Sequence, residues 1–518
     1  MNFRRHTRVL LALGSGVALG LSFPNYNLSL LAWFAIGMLV LASSGARPLE
    51  APLYGFLHGL IFYPVCVPWV ATVVRQYGGL DIWSAAGFVG LIGLVGGLIC
   101  SMVSLGVALA SRKSQALACA AAPFLWVTAE FARTRLVIFG SPWDLAGYAV
   151  SNNLAFLQVT TLTGIYGLSF LPAAYGSLVA YAIIVRTKRV WIITMSTTAA
   201  LVLIGVAGVY LVPTAAPHHV AHLVQTNFPQ SERYPPDWLQ IHASELDQLE
   251  QISVEAAHRA PGLIVWPEVP APFSMQEPPF AIRAVRIARD SGNPFLVGVI
   301  DWKRDKQAQW TASNSAVLLD ASGRRVFTYD KIHLVPFGEY VPLRRYLAFA
   351  GRLTADIADF TPGTGYHIAT LPDGTFGVFI CYEAIFPAEV RQFTAAGAEL
   401  LITISNDGWF GRSSAPTQHL MMARVRAVEN RRWMLRDTNN GFTVSVDPYG
   451  RIVARLAPDI RGQLDAPYDY RTDRTLYSLF GDWFAWISII LAILLVVLAL
   501  RKKENEKVKM KEGSSMLA

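Results

Sequence analysis

FGVFICYE, residues 376–383, is a run of apolar, β-branched and aromatic side chains that stops abruptly at a cysteine, a tyrosine and a glutamate. A strand covered on both faces has this near-continuous apolar composition, and the polar pair that closes it predicts an exposed strand end after Ile380. Helical patterning follows over 386–396, and a helix starting near Pro387 places the Cys381 sulfur near a helix N-terminus, where thiolate is favoured. That geometry resembles a nucleophile elbow. The competing reading is an inert core cysteine, since a solitary cysteine in a strand usually packs and does nothing more.

The same grammar recurs on both sides. LIVWPE (263–268), PFLVGVI (294–300), SAVLLD (315–320) and LLITISND (400–407) read as further buried strands, and 238–259, 279–290 and 417–432 as amphipathic helices between them. Strands alternating with helices predict an α/β domain. Glu268, Cys381 and Asp407 each close a strand, and ligands of open α/β sheets gather at strand carboxyl ends, so the three are expected to share one crevice. Residues 337–363, rich in aromatics and arginine without periodicity, suit a lid or binding arm.

Farther out the composition changes. Of 518 residues only 15% are charged and 53% are hydrophobic, which excludes disordered, collagen-like and disulfide-framework classes. The apolar excess collects in seven segments, at 9–23, 28–43, 51–72, 84–110, 115–131, 159–185 and 190–212, and an eighth at 484–500. Most approach the roughly 20 residues needed to span a bilayer. The expected organisation is a membrane domain of seven transmembrane helices (1–213), an α/β insert (214–475), an eighth helix (476–501) and a basic tail (502–518). The net charge of +8 does not belong to the insert, which carries 26 basic and 28 acidic residues. Basic residues sit beside the apolar segments, 15 on one side against Arg75, Arg133 and Arg135 in the short loops of the other. The asymmetry predicts cytoplasmic termini and an insert on the far face, the periplasm of a bacterium. No basic stripe with interleaved aromatics points to nucleic acid. A cleaved signal peptide at the first segment would invert this charge pattern and lacks a small-x-small cleavage site. Cys66, Cys100 and Cys119 fall in or beside spans, leaving Cys381 alone in the insert, so no disulfide or CxxC metal site is built there.

A nucleophilic cysteine needs a base and an oxyanion stabiliser. No histidine occupies a strand-end position suggesting a Cys-His pair. Glu268, after the apolar LIVWP, is the better base because partial desolvation would raise its pKa; alone it would read as a solvated turn residue. Lys331, in YDKIHLVPFGEYVP, is flanked by apolar and aromatic residues and suits an oxyanion donor, although an isolated lysine is usually a surface charge.

WPE, YDKIHLVPFGE and CYE in this order resemble the Glu-Lys-Cys constellation of the nitrilase superfamily. With flanking membrane segments, GSPWDLAGY (140–148), NDGWFG (406–411) and QHLMMARVRAVEN…RDTNNG (418–441), nearly the whole chain resembles the apolipoprotein N-acyltransferases. The chain departs from that pattern at NDGW, where NDAW is expected, and at Arg431-Arg432-Trp433. The resemblance implies an αββα sandwich joined to an integral membrane bundle of about eight helices. It implies Glu268 as general base, Lys331 as oxyanion stabiliser and Cys381 as nucleophile, with Glu339, Tyr382, Glu383 and Trp238 in support and no cofactor or metal. It further implies transfer of the sn-1 acyl chain of a phospholipid, typically phosphatidylethanolamine, through a Cys381 thioester to the α-amine of a diacylglyceryl-cysteine apolipoprotein. Phe337, Tyr340, Tyr346, Leu347, Phe349 and Leu353 are expected to form an apolar lid at the membrane interface. Two other classes fit parts of the sequence. A membrane-anchored amidase would use the same triad but needs one anchor, and a transporter would explain the spans but not the triad.

Overall fold

The computed structural model describes residues 3–136, 140–231, 234–305, 308–341 and 359–515, excluding the side chains of 502–515. Two compact units emerge: Met1–Ala71, Ile82–Val212 and Phe480–Ala518 in one, Thr72–Asp81 and Pro213–Leu479 in the other.

In the first unit every apolar segment is helical: Arg5–Leu21, Ala32–Ser43, Ala51–Cys66, Ile82–Ser111, Gln115–Arg133, Thr160–Val185, Lys188–Leu211 and Trp483–Ser515. Among the described residues five helices are long and apolar enough to cross a membrane, namely Ile82–Ser111, Gln115–Arg133, Thr160–Val185, Lys188–Leu211 and Trp483–Arg501. Ala51–Cys66 and Trp69–Gln76 qualify as a sixth when taken together, bent by 62°. The bend has a local cause. Val67 precedes Pro68 and has left helical geometry, at φ −123° and ψ 51°, because proline offers no N–H and crowds the residue before it. Helices approach closely at small residues: a Cβ on Gly37 would collide with the Gly176 carbonyl, and one on Gly55 with that of Cys100. The charges at 130–144 pair locally. Arg133 forms a buried ion pair with Asp144, and Glu130 Oε1 accepts from Trp126 Nε1 at 2.8 Å and Ala146 N at 2.7 Å. The GSPWDLAGY segment thus closes onto the end of the 115–133 helix.

The second unit holds two six-stranded sheets. The strands are β1 (His219–Gln225), β2 (Leu263–Val265), β3 (Phe295–Arg304), β4 (Trp310–Leu319), β5 (Arg325–Asp330), β6 (Ile368–Leu371), β7 (Gly374–Ile380), β8 (Leu400–Ser405), β9 (Trp433–Thr438), β10 (Thr443–Val446), β11 (Ile452–Leu456) and β12 (Gly462–Tyr468). One sheet runs β12-β1-β2-β3-β4-β5 and the other β11-β10-β9-β8-β7-β6. Each has a parallel centre, β1-β2-β3 or β7-β8-β9, with antiparallel strands outside it.

Alternation along the strands builds the layers. Leu263, Val265, Leu296 and Leu318 face the second sheet and share a core with Phe376, Val378, Ile380, Ile402 and Ile404. Their neighbours Ile264, Trp266, Phe295, Val297, Val317 and Leu319 face outward against Leu246, Leu249, Phe280, Ala284 and Ile287. Those last residues come from the helices Ala243–Arg259 and Pro278–Ser291, which bury one stripe at helical spacing. Pro387–Ala395 and Ala415–Asn430 cover the second sheet, with Val390, Phe393, Ala423 and Ala427 packed into its cluster. The result is the four-layer αββα sandwich. Its parallel strands deliver Glu268, Cys381 and Asn406 just past their carboxyl ends.

Candidate active site

Cys381 is the first residue after β7 and begins the tight turn Cys381–Ile385, with Pro387 opening the following helix. Its φ is +50°, a left-handed conformation disfavoured by roughly 1–2 kcal/mol for a residue with a side chain. Strained elbows of this kind turn a nucleophile out of a strand end. The residue is 6% exposed. Burial pushes its pKa up, Glu268 and Asp407 push the same way, and Lys331 and a hydrogen bond with Ser405 oppose them. Desolvation thus opposes the effect expected from helix proximity and is the larger of the two.

Lys331 lies just past β5 and is 1% exposed. Its ammonium is 3.0 Å from Glu268 Oε1 and 2.9 Å from Glu339 Oε1. Burial opposes its charge, but Glu268, Glu339 and Cys381 together carry its pKa well above the usual lysine value. Asn314, on β4, donates its Nδ2 at 2.8 Å to each of the same two carboxylate oxygens. The other Glu268 oxygen accepts the Asn406 N–H at 2.8 Å, at the end of β8. Glu339 reaches Lys331 from a compact turn in which Val335 N donates to Glu339 Oε2 at 2.8 Å. A buried carboxylate, a charged ammonium and a thiol are thus gathered from both sheets.

Glu383 links the lysine and cysteine turns. Its Oε1 accepts from Tyr329 Oη (2.8 Å), Ile332 N (2.7 Å) and His333 N (3.1 Å), and its Oε2 from Ile380 N (2.7 Å). Burial raises its pKa to about 7 against the hydrogen bonds of Ile380 and Tyr329 and the charge of Lys331. Tyr382 is partly exposed and packs edge-on to Phe386 and His333. Phe337 and Tyr340 flank Glu339 in one turn, joined by a 2.8 Å hydrogen bond from Phe337 N to Tyr340 O, with Phe337 38% exposed. Trp238 stands apart. It is buried in the outer core of the first sheet, stacked on His242 and packed against Phe228, Tyr234 and Phe273, a place for packing. Tyr346, Leu347, Phe349 and Leu353 lie outside the described residues.

Asp407 makes no bond to Glu268 or Lys331; it is bound to Arg436 and His419. Sequence reasoning missed His419, Asn314 and Asn406. Asn314 lies one residue before the SAVLLD run, in the polar stretch Ser313-Asn314-Ser315 of an otherwise apolar strand; His419 stands inside the QHLMM motif without a strand-end position to mark it.

An elbow cysteine beside a buried Glu-Lys pair in an αββα sandwich defines the nitrilase-like class, and residues 234–471 match the carbon-nitrogen hydrolase family model. Residues 15–178 match the apolipoprotein N-acyltransferase N-terminal domain. The apolipoprotein N-acyltransferase of Geobacter metallireducens is 35% identical over 508 residues, 95% of each chain, and that of Methylococcus capsulatus 33% identical over 508 residues, 96% of each. The chain belongs to the apolipoprotein N-acyltransferase family. Among solved structures an amidase from Nesterenkonia sp. is 22% identical, covering 52% of this chain and 98% of that one at a TM-score of 0.37.

Proposed function

We propose that this chain transfers an acyl group from the sn-1 position of a phospholipid, with phosphatidylethanolamine the expected donor, to the α-amine of a diacylglyceryl-cysteine apolipoprotein. The observation that carries the reading is the Lys331 ammonium, buried between Glu268 and Glu339 in the same site as the strained Cys381 turn. In the first half-reaction Glu268 takes the thiol proton as Sγ attacks the ester carbonyl, and Lys331 faces the tetrahedral oxyanion. Collapse forms the thioester and expels the glyceryl oxygen, which leaves with the proton from Glu268 as lysophospholipid. In the second, the neutral amine attacks the thioester, Glu268 accepts its proton, and the departing sulfur recovers that proton. Glu339 and Asn314 hold Lys331 and Glu268 in register, while Glu383 keeps the lysine and cysteine turns together.

The topology proposed with this chemistry has eight crossings, counting the two short helices and the bent pair, in a bacterial inner membrane. Both termini are cytoplasmic and the sandwich is periplasmic. Phe337 and Tyr340 contribute to the apolar approach for acyl chains, and water excluded there cannot hydrolyse the thioester. The test uses the full-length protein in detergent with a phospholipid labelled in its sn-1 chain and a synthetic diacylglyceryl-cysteine peptide. Label should move to the free α-amine and not to an N-acetylated peptide. Release of ammonia from small amides without lipid transfer would instead support the amidase reading.

A further inference from the structure

His419 is fully buried on the helix Ala415–Asn430, and both ring nitrogens meet polar partners. Nε2 lies 3.0 Å from the carbonyl oxygen of Cys381, while Nδ1 lies 3.1 Å from Asp407 Oδ1 and 3.2 Å from Arg436 Nη2. A carbonyl oxygen only accepts, so Nε2 carries a proton and donates to Cys381, while Nδ1 faces the Asp407–Arg436 pair. The same Nη2 donates to both Asp407 oxygens, at 3.0 and 2.8 Å, and Ser405 Oγ donates to Asp407 Oδ1 at 2.9 Å. Burial and the Arg436 charge favour the neutral ring, although Asp407 pulls the other way.

We propose that His419 is a positioning residue for acyl transfer, acting through the Cys381 backbone to hold the nucleophile's strained turn. The register of β7 with β8 ends at Ile380 and Ile404, so the Cys381 carbonyl has left the ladder and takes its donor from His419. Released from that donor, a side-chain-bearing residue at φ +50° relaxes towards a less strained backbone. Rotation of the peptide would swing Sγ away. It would also turn the Tyr382 N–H, which in a trans peptide points opposite the Cys381 carbonyl. The Asp407–Arg436 ion pair sets the ring's tautomer and orientation. Asp407 of NDGW, His419 of QHLMM and Arg436 of RDTNNG are thereby joined in one network behind that carbonyl.

The inference rests on the reading of Cys381 as nucleophile, so its test keeps the two separable. Full-length protein in detergent is mixed with a phospholipid labelled in its sn-1 chain, and acyl-enzyme formation at saturating lipid is followed in the parent, His419→Ala and His419→Gln. Rates are expressed per Cys381 thiol in the monodisperse, cooperatively melting fraction isolated by size exclusion, which leaves any unfolded protein out. His419→Ala should react about tenfold or more slowly per thiol, since small misplacements of a reacting atom have large kinetic effects, with the lipid concentration for half-saturation little changed. His419→Gln retains an N–H donor at similar reach and should recover most of the rate. The glutamine cannot titrate, so its pH profile should keep the parent's shape. Equal rates per thiol in His419→Ala and parent, no recovery by glutamine, or loss of the acid limb in His419→Gln would overturn the positioning role. Absence of any Cys381 adduct in the parent would remove the nucleophile assignment and this inference together.

Discussion

Lys331 Nζ lies 3.0 Å from Glu268 Oε1, with the lysine side chain 1% and the glutamate side chain 6% exposed. A pair so removed from solvent contributes little net stability, but losing one member leaves an uncompensated charge, a change typically worth about 3–5 kcal/mol. Lys331→Met should therefore lower the thermal midpoint of the detergent-solubilised protein clearly, besides abolishing transfer. Adding Glu268→Gln should recover part of the midpoint and none of the activity, because it removes one of the two stranded carboxylates. A Lys331→Met protein as stable as the parent would contradict the arrangement.

Opposite electrostatic signs at the thiol give a second expectation. Lys331 lowers the Cys381 pKa and Glu268 raises it, on top of the dominant effect of burial. Alkylation of Cys381 by iodoacetamide, read by peptide mapping, should slow in Lys331→Met and not slow in Glu268→Gln, while both variants fail in acyl transfer. The reverse order of alkylation rates would show that the two side chains do not act on this sulfur as assigned.

Glu383 supplies a pH dependence. Its carboxylate accepts four hydrogen bonds, and burial holds its pKa at about 7 instead of the ordinary 4.5. The group is charged above that value and protonated below it, and a protonated carboxyl loses acceptor capacity toward donors that fix the two turns. Acyl-enzyme formation should therefore rise with pH through about 7. Glu383→Gln, slow throughout, should lack that limb. An identical limb in Glu383→Gln would assign it to another group.

The αββα layers were legible because the buried parallel strands carry few polar residues: LIVWPE, FGVFICYE and LLITISND all mark observed strands. β9 was not, since WMLRDT buries Arg436 and Asp437 in mid-strand, and an ion pair with Asp407 rather than an apolar pattern places it there. Glu268, Lys331 and Cys381 could be singled out because each follows or interrupts an apolar run. Asn314 and His419 work through hydrogen bonds between residues far apart in the chain, and nothing in their own surroundings announces the partner. The burial acting on the thiol was not legible for a related reason: proximity to a helix start is local, whereas desolvation depends on both sheets.

Topology is testable without the chemistry. The 15-to-3 asymmetry of basic residues predicts that reporter fusions after Val212 and after Leu500 report opposite faces, the first periplasmic. Two cytoplasmic reporters would deny the sandwich access to exported lipoproteins.

The most direct test of the central claim is the intact mass of the full-length protein after incubation with phospholipid and no acceptor amine. The account predicts one added acyl chain on Cys381, one lysophospholipid released per adduct, and discharge of the adduct when a diacylglyceryl-cysteine peptide is supplied. Cys381→Ala should carry no adduct, and Cys381→Ser, whose hydroxyl is far less acidic than a thiol, almost none. The same adduct on the Cys381→Ala protein, or transfer to the peptide by a parent enzyme never acylated at Cys381, would contradict it.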